Sequence, residues 1–70
     1  MQNSIYKQIK IIGSSTISWE DAANNAIAKA GEKIKDMRVA EVVRKDIRFD
    51  AAGIMCYRTK LTLSFKILDL

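Results

Sequence analysis

Apolar and polar positions alternate along the first part of the chain. In the segment SIYKQIKIIG, residues 4–13, one set of alternate positions holds Ile5, Lys7, Ile9 and Ile11, and the other set holds Tyr6, Gln8, Lys10 and Ile12. A period of two in β-branched residues is typical of a β-strand. Gly13 is predicted to end this strand, and the short polar segment SSTI is predicted to connect it to the next element.

The following segment changes to helical periodicity. Ser18 and Asp21 have the spacing of an N-terminal capping box, and Glu20 and Asp21 suit the positive end of a helix dipole. Apolar residues then recur at helical spacing in one stripe: Trp19, Ala22, Ala23, Ala26, Ile27, Ala30 and Ile34. We predict a helix from Ser18 to near Lys35, with Trp19 in the core. Because four of the seven stripe residues are alanine, this helix can lie close to the sheet.

The remainder of the chain predicts a long β-hairpin. Residues 36–49, DMRVAEVVRKDIRF, form one strand, and a second strand follows the segment FDAAGI. Asp50 and Gly53 are typical of the first and last positions of a type I turn. Closing the hairpin at this turn gives the register pairs Phe49–Ile54, Lys45–Arg58 and Val39–Ser64.

The two faces of this hairpin differ in character. One face is apolar and is predicted to lie under the helix: Ala40, Val42, Tyr57, Leu61, Leu63, Phe65 and Ile67. The other face combines Val39, Glu41, Val43 and Lys45 with Arg58, Lys60, Thr62 and Ser64. The predicted fold is therefore α+β, with the order β-α-β-β and a three-stranded antiparallel sheet partly wrapped around one helix. We expect a single domain over residues 1–70.

The predicted hairpin is longer than the helix that covers it. A helix of about 25 Å, at 1.5 Å per residue, cannot cover strands of roughly 40 Å, at about 3.3 Å per residue. Four apolar residues would stay exposed in a monomer: Ile47, Phe49, Ile54 and Met55. Contiguous exposed apolar surface usually marks an interface. We therefore expect a closed homo-oligomer.

The composition of the 70 residues argues against several classes of function. There is no histidine, and Cys56 is the single cysteine, so triads, histidine metal sites and internal disulfides are excluded. Cys56 is expected to be a small buried apolar residue, and the protein is not expected to be an enzyme. The 12 basic and 8 acidic residues, net +4, are interleaved, which does not favour nucleic-acid binding. Without a secretory segment or long apolar run, we expect a soluble, cytoplasmic protein with no membrane partner.

The run SIYKQIKIIGSSTISWEDAANNAIAKAGEKIKDMRVAEVV resembles the dodecins, and the closing YRTKLTLSFKI matches them in order and spacing. Dodecins are small β-α-β-β proteins that assemble twelve copies into a hollow shell and bind flavins. The most specific part of the resemblance is GSSTISWEDAANNAIAKA, residues 13–30. The resemblance implies a hollow homododecamer that stores FMN or riboflavin without catalysis. The alternative is a dodecin-fold shell that has lost flavin binding and serves as a structural assembly or binds another ion or anionic ligand.

The resemblance also indicates where a flavin would bind. In flavin-binding dodecins a tryptophan precedes the small residue and the glutamate of the second strand and stacks on the flavin ring; here that position is Val39. A glutamine of the last strand, which hydrogen-bonds the ring edge, corresponds to Arg58. The candidate binding residues are Val39, Glu41, Lys45 and Arg58.

Two interpretations of the candidate cations remain open. Lys45 and Arg58 would bind a phosphate such as that of FMN, or would extend into solvent or reach a carboxylate of a neighbouring subunit, such as Glu41. Arg44 and Arg48 are predicted on the opposite face as interface or solvated charges. A metal ion held between subunits also stays open.

Overall fold

The order of elements and the sheet confirm the predicted α+β fold. The computed structural model describes residues 4–69, and their side chains up to residue 67. The elements are β1 (Ser4–Ser15), α1 (Trp19–Gly31), β2 (Met37–Phe49) and β3 (Met55–Asp69). The three strands form one antiparallel sheet in the order β1-β3-β2, and α1 packs mainly on β1 and β3. No helix in the described part of the chain is long and apolar enough to cross a membrane.

The start of α1 confirms half of the predicted capping box. Ser18 has an extended backbone, and its Oγ accepts a hydrogen bond from the backbone N–H of Asp21 at 2.9 Å, which satisfies one of the unpaired donors of the first turn. The Asp21 carboxylate does not complete the box. It accepts a hydrogen bond from the Ser15 hydroxyl at 2.6 Å and so ties the helix start to the end of β1.

The end of α1 differs from the prediction. The helix stops at Gly31, about one turn before the predicted end near Lys35, because glycine loses more conformational freedom in a helix than any other residue. The chain then reverses into β2 through Asp36, whose φ of 59° is left-handed. Aspartate tolerates this conformation better than most residues.

Gly13 has a different role from the predicted one. β1 continues two residues past it, to Ser15. A Cβ at position 13 would overlap the carbonyl oxygen of Ala22 and lie 2.8 Å from the Cβ of Ala26. Gly13 therefore marks the closest approach of sheet and helix. The alanine stripe lies directly against the strand, as its small side chains predicted.

The core lies where α1 covers the central strand. Leu61, Leu63 and Ala22 are buried, with at most 1% of their surface exposed. Ala40 and Val42 pair with Leu63 and Leu61 and share their face, yet both are exposed. The prediction that the helix covers these two residues is wrong, because α1 lies over β1 and β3 instead.

Two bulges interrupt β2 and correct the predicted register. Val39 pairs with Ser64 as predicted, but Val43 is an extra residue between the paired Val42 and Arg44. A second bulge lies between Met37 and Val39. Beyond Val43 the pairing is displaced by one residue, so the predicted pairs Lys45–Arg58 and Phe49–Ile54 are wrong. The observed pairs are Lys45–Thr59, Asp46–Arg58 and Phe49–Met55.

The hairpin turn forms as predicted and carries an exposed apolar end. The Gly53 N–H donates to the Asp50 carbonyl oxygen at 2.9 Å, and Gly53 has a left-handed φ of 78°. We call Phe49, Ile54 and Met55 the hairpin tip; 65%, 57% and 40% of their surfaces are exposed. Ile47, which was also expected to be exposed, is half-buried. The exposed tip leaves apolar surface that this chain alone does not cover.

Candidate functional site

The face of the sheet away from α1, here called the open face, collects most of the candidate residues. Leu61 and Leu63 lie under the helix, so the even-numbered residues of this part of β3 point the other way. The strand register aligns four rows across this face: Gln8–Ser64–Val39, Lys10–Thr62–Glu41, Ile12–Lys60–Arg44 and Ser14–Arg58–Asp46. The rows carry four cations and two carboxylates, a net charge of +2.

Three of the four candidate residues lie on the open face, and Lys45 does not. Val39, Glu41 and Arg58 each belong to one of its rows. Lys45 pairs with Thr59 and therefore points toward the helix side, where its Nζ lies 5.9 Å from the centroid of the Trp19 ring. Lys45 thus makes a cation–π contact on one face of the sheet, and Arg58 lies on the other face. Because of the bulge at Val43, the residues of β2 that follow it point to the face opposite the predicted one. Arg44 therefore lies on the open face in place of Lys45.

Arg58 has a partner within its own chain. Its Nε and Nη2 donate to the two carboxylate oxygens of Asp46, both at 2.7 Å, a bidentate ion pair in which each side chain is 39% exposed. The hydrogen bonds from Arg58 hold the pKa of Asp46 below its ordinary value, and the positive charges of Arg58 and Arg44 act in the same direction. The same bonds raise the pKa of Arg58. Sequence reasoning missed Asp46 because the predicted register had no bulge at Val43, and without the bulge Asp46 would lie on the opposite face from Arg58.

The distance along the sheet separates Val39 from Arg58. Val39 pairs with Ser64, and Arg58 lies six residues further along β3, about 20 Å at roughly 3.3 Å per residue. A single flavin ring system is too short to contact both residues of one chain. A site that uses both would have to combine residues from different copies.

Trp19 lies on the helix side and stabilises the connection between α1 and the sheet. Its Nε1–H donates to the Asp46 carbonyl oxygen at 3.0 Å, and its own carbonyl accepts from the Thr59 hydroxyl at 2.8 Å. Its ring meets Tyr57 edge to face, with centroids 5.1 Å apart. Trp19 therefore has the predicted packing role and does not replace the missing ring at Val39.

A small charged pocket lies on the open face, in the rows Ile12–Lys60–Arg44 and Ser14–Arg58–Asp46. Its volume is about 120 Å³, and its lining residues are Ile12, Arg44, Asp46, Arg58 and Lys60. Elsewhere, Cys56 is a free thiol and is only half-buried, less than the burial that was expected for it. No group of three or more His, Cys, Asp or Glu side chains among the described residues could hold a metal ion.

Comparison with known proteins places the chain in a family. The Dodecin family model matches residues 5–68. The calcium dodecin of Mycobacterium tuberculosis is 48% identical over 64 residues, which cover 91% of this chain and 90% of the relative. Its crystal structure, described as a calcium-chelating antigen with a novel calcium-binding site, has a TM-score of 0.84 and covers 93% of both chains.

Two further solved structures have the same fold at low sequence identity. The dodecin from Streptomyces coelicolor has a TM-score of 0.86 at 20% identity and covers 97% of both chains. The dodecin from Streptomyces davaonensis has a TM-score of 0.84 at 21% identity and covers 94% of this chain and 97% of its own. These two structures show the fold alone. The family model and the relative at 48% identity show more: this chain belongs to the dodecin family.

Proposed function

We propose that copies of this chain assemble into a hollow homododecamer that holds a small anionic ligand, FMN in preference to riboflavin, on the open face without catalysing its conversion. The assembly is supported chiefly by the exposed hairpin tip. Phe49 and Ile54 are more than half exposed, whereas the described core contains only three buried apolar residues, Ala22, Leu61 and Leu63. A chain of this size is marginally stable alone, and burial of the tip against a second copy would add apolar area to the core.

Native mass spectrometry tests the assembly. Twelve chains of 7.9 kDa would give a particle of about 95 kDa. Phe49→Asp places a charge on the tip and is expected to shift the particle toward smaller species. Thr16→Asp adds the same charge at an exposed polar position in the β1–α1 connection and serves as the matched control. A folded wild-type monomer at micromolar concentration would contradict the proposal.

The charge of the open face supports an anionic ligand. Its four rows carry a net charge of +2, and the side chains of Arg44 and Lys60 make no hydrogen bond or ion pair with any described residue. FMN carries a phosphate that riboflavin lacks, so this face favours FMN. The absence of an aromatic ring at Val39 removes stacking of about 1–3 kcal/mol per ring, which lowers flavin affinity by roughly one to two decades.

Retention of flavin tests the ligand. Purified protein is incubated with FMN or riboflavin and passed through an ultrafiltration membrane, and the free flavin is measured by absorbance. Depletion approaching one FMN per chain, with weaker depletion of riboflavin, is the expected result. Equal retention of the two flavins would contradict the proposed role of the face charge, and no retention at tens of micromolar would contradict flavin storage.

Calcium is the second candidate ligand, and the relative at 48% identity favours it, because that protein is named a calcium dodecin. Ca²⁺ takes 6–8 oxygen ligands, and no described group of carboxylates within one chain could hold it. A calcium site would therefore combine residues of several copies. Calorimetric titration of the assembled protein with CaCl₂, against MgCl₂ as the control, tests this candidate: heat that saturates with Ca²⁺ alone would support it.

A further inference from the structure

Arg44 and Lys60 form a pair of like charges that the fold holds together. They are directly opposite each other on β2 and β3, in the same row as Ile12. Like charges in this position are destabilising, and the bulge at Val43 creates the arrangement, because without it Lys60 would face Val43. Neither cation makes a hydrogen bond or ion pair with a described residue.

The neighbouring carboxylates do not neutralise this pair. Both oxygens of Asp46 already accept hydrogen bonds from Arg58 at 2.7 Å. Glu41 lies in the adjacent row with Thr62 and Lys10, and the ion pairs between described residues do not include it. Asp46 attracts Arg44 at longer range, but among the described residues the side chains of Arg44 and Lys60 form no ion pair. The pocket, with three cations and one carboxylate, keeps a net charge of +2.

The pocket beside the pair has the size and the donors for an oxyanion. Its volume of about 120 Å³ is well above the roughly 10–15 Å³ that a cavity needs to hold one water molecule, so it has room for a phosphate group. Arg58 uses Nε and Nη2 for Asp46 and keeps further N–H donors on its guanidinium. Ile12 supplies an apolar wall.

We infer that the pocket lined by Arg44, Lys60 and Arg58 is a binding site for a phosphate group, with the guanidinium of Arg44 and the ammonium of Lys60 as its principal ligands. Guanidinium groups bind phosphate oxygens bidentately, and lysine binds phosphate as a point charge. Asp46 orients the Arg58 guanidinium through two hydrogen bonds. The site deepens the proposed storage of FMN, but it needs neither the flavin ring nor Val39, so inorganic phosphate is a sufficient probe.

Calorimetric titration of the assembled protein with inorganic phosphate, FMN and riboflavin, at low ionic strength to limit screening, tests this site. We expect saturable binding of phosphate, and tighter binding of FMN than of riboflavin. Arg44→Gln and Lys60→Gln should each weaken phosphate and FMN binding at least about tenfold, or about 1.4 kcal/mol, and leave riboflavin binding unchanged. Lys35→Gln, an exposed cation in the connection after α1, is the matched control and should have no effect.

The outcomes separate this site from the proposed function. Phosphate binding that the two pocket variants weaken, without any flavin retention, supports the site and contradicts flavin storage. Phosphate binding that Lys35→Gln weakens equally, or that both pocket variants leave unchanged, overturns the site in favour of diffuse surface charge. No phosphate binding at millimolar concentration overturns it whether or not riboflavin is retained. Size-exclusion chromatography of each variant confirms that the compared proteins are equally assembled.

Discussion

The contact between Gly13 and α1 predicts a large effect for one added methyl group. In Gly13→Ala, the new Cβ would overlap the carbonyl oxygen of Ala22 and crowd the Cβ of Ala26. The obstructing carbonyl oxygen belongs to the helix backbone, so α1 must move away from β1. That movement would open the contact at Ala22, which is fully buried.

The magnitude follows from two opposing effects. Overpacking of this kind costs about 1–3 kcal/mol, and we expect the upper end because a helix moves as a unit. Alanine recovers roughly 0.5–1 kcal/mol of the backbone entropy that glycine loses on folding. The net loss is about 2 kcal/mol, which lowers the melting temperature on the order of 10 °C for a domain of this size.

Gly31→Ala is the matched control. A Cβ there would contact only the mobile end of the Met37 side chain, at 3.3 Å, and alanine favours the helix end. This variant should be neutral or slightly more stable than the wild type. Urea unfolding followed by far-UV circular dichroism gives the comparison, at equal chain concentration because any assembly would make the stability depend on concentration. Equal unfolding midpoints for the two variants would refute the argument from close packing.

Three other perturbations test separate features. Val39→Trp should raise flavin affinity at least tenfold by restoring stacking of about 1–3 kcal/mol; ultrafiltration measures it, and no gain would mean that this position does not contact the flavin. Because hydrogen bonds from Arg58 lower the pKa of Asp46, the pair stabilises the fold above about pH 4 and loses this effect as the pH falls through the lowered pKa. The stability difference between wild type and Asp46→Asn should therefore shrink from pH 7 to pH 3 in urea titrations. Ser18→Ala removes the acceptor for the Asp21 N–H and should cost about 1 kcal/mol in the same titrations, against Thr16→Ala as a control; equal losses would argue against the cap.

Local chemistry made much of the fold predictable. Ser18 and Asp21 mark the helix start, and Asp50 and Gly53 mark the hairpin turn. The early helix end at Gly31 also had a signal in the sequence, since glycine often closes a helix. These features depend on residues within one or two turns of each other, where side-chain type decides the backbone conformation.

The bulge at Val43 had no such signal. In the segment VVRKD the valines form one doublet and the cations another, so a shift of one residue places the same kinds of side chain on each face. Only the pairing with β3 distinguishes the two registers. The position of Lys45 and the partner of Arg58 both depended on that choice. For this reason the strands were predictable and the charged pocket was not.

The bulges in β2 also affect how readily the edge of the sheet can pair with a further strand. β2 is an edge strand, and the unpaired backbone groups of a long edge can template the open-ended addition of further strands. The two bulges divide its pairing with β3 into unbroken ladders of residues 39–42 and 44–49, about 13 Å and about 20 Å long at roughly 3.3 Å per residue. An incoming straight strand finds a short and twisted template, and the cations Arg44 and Arg48 oppose its approach. The same irregularity that shapes the pocket thus shortens the straight edge on which a further strand could be added.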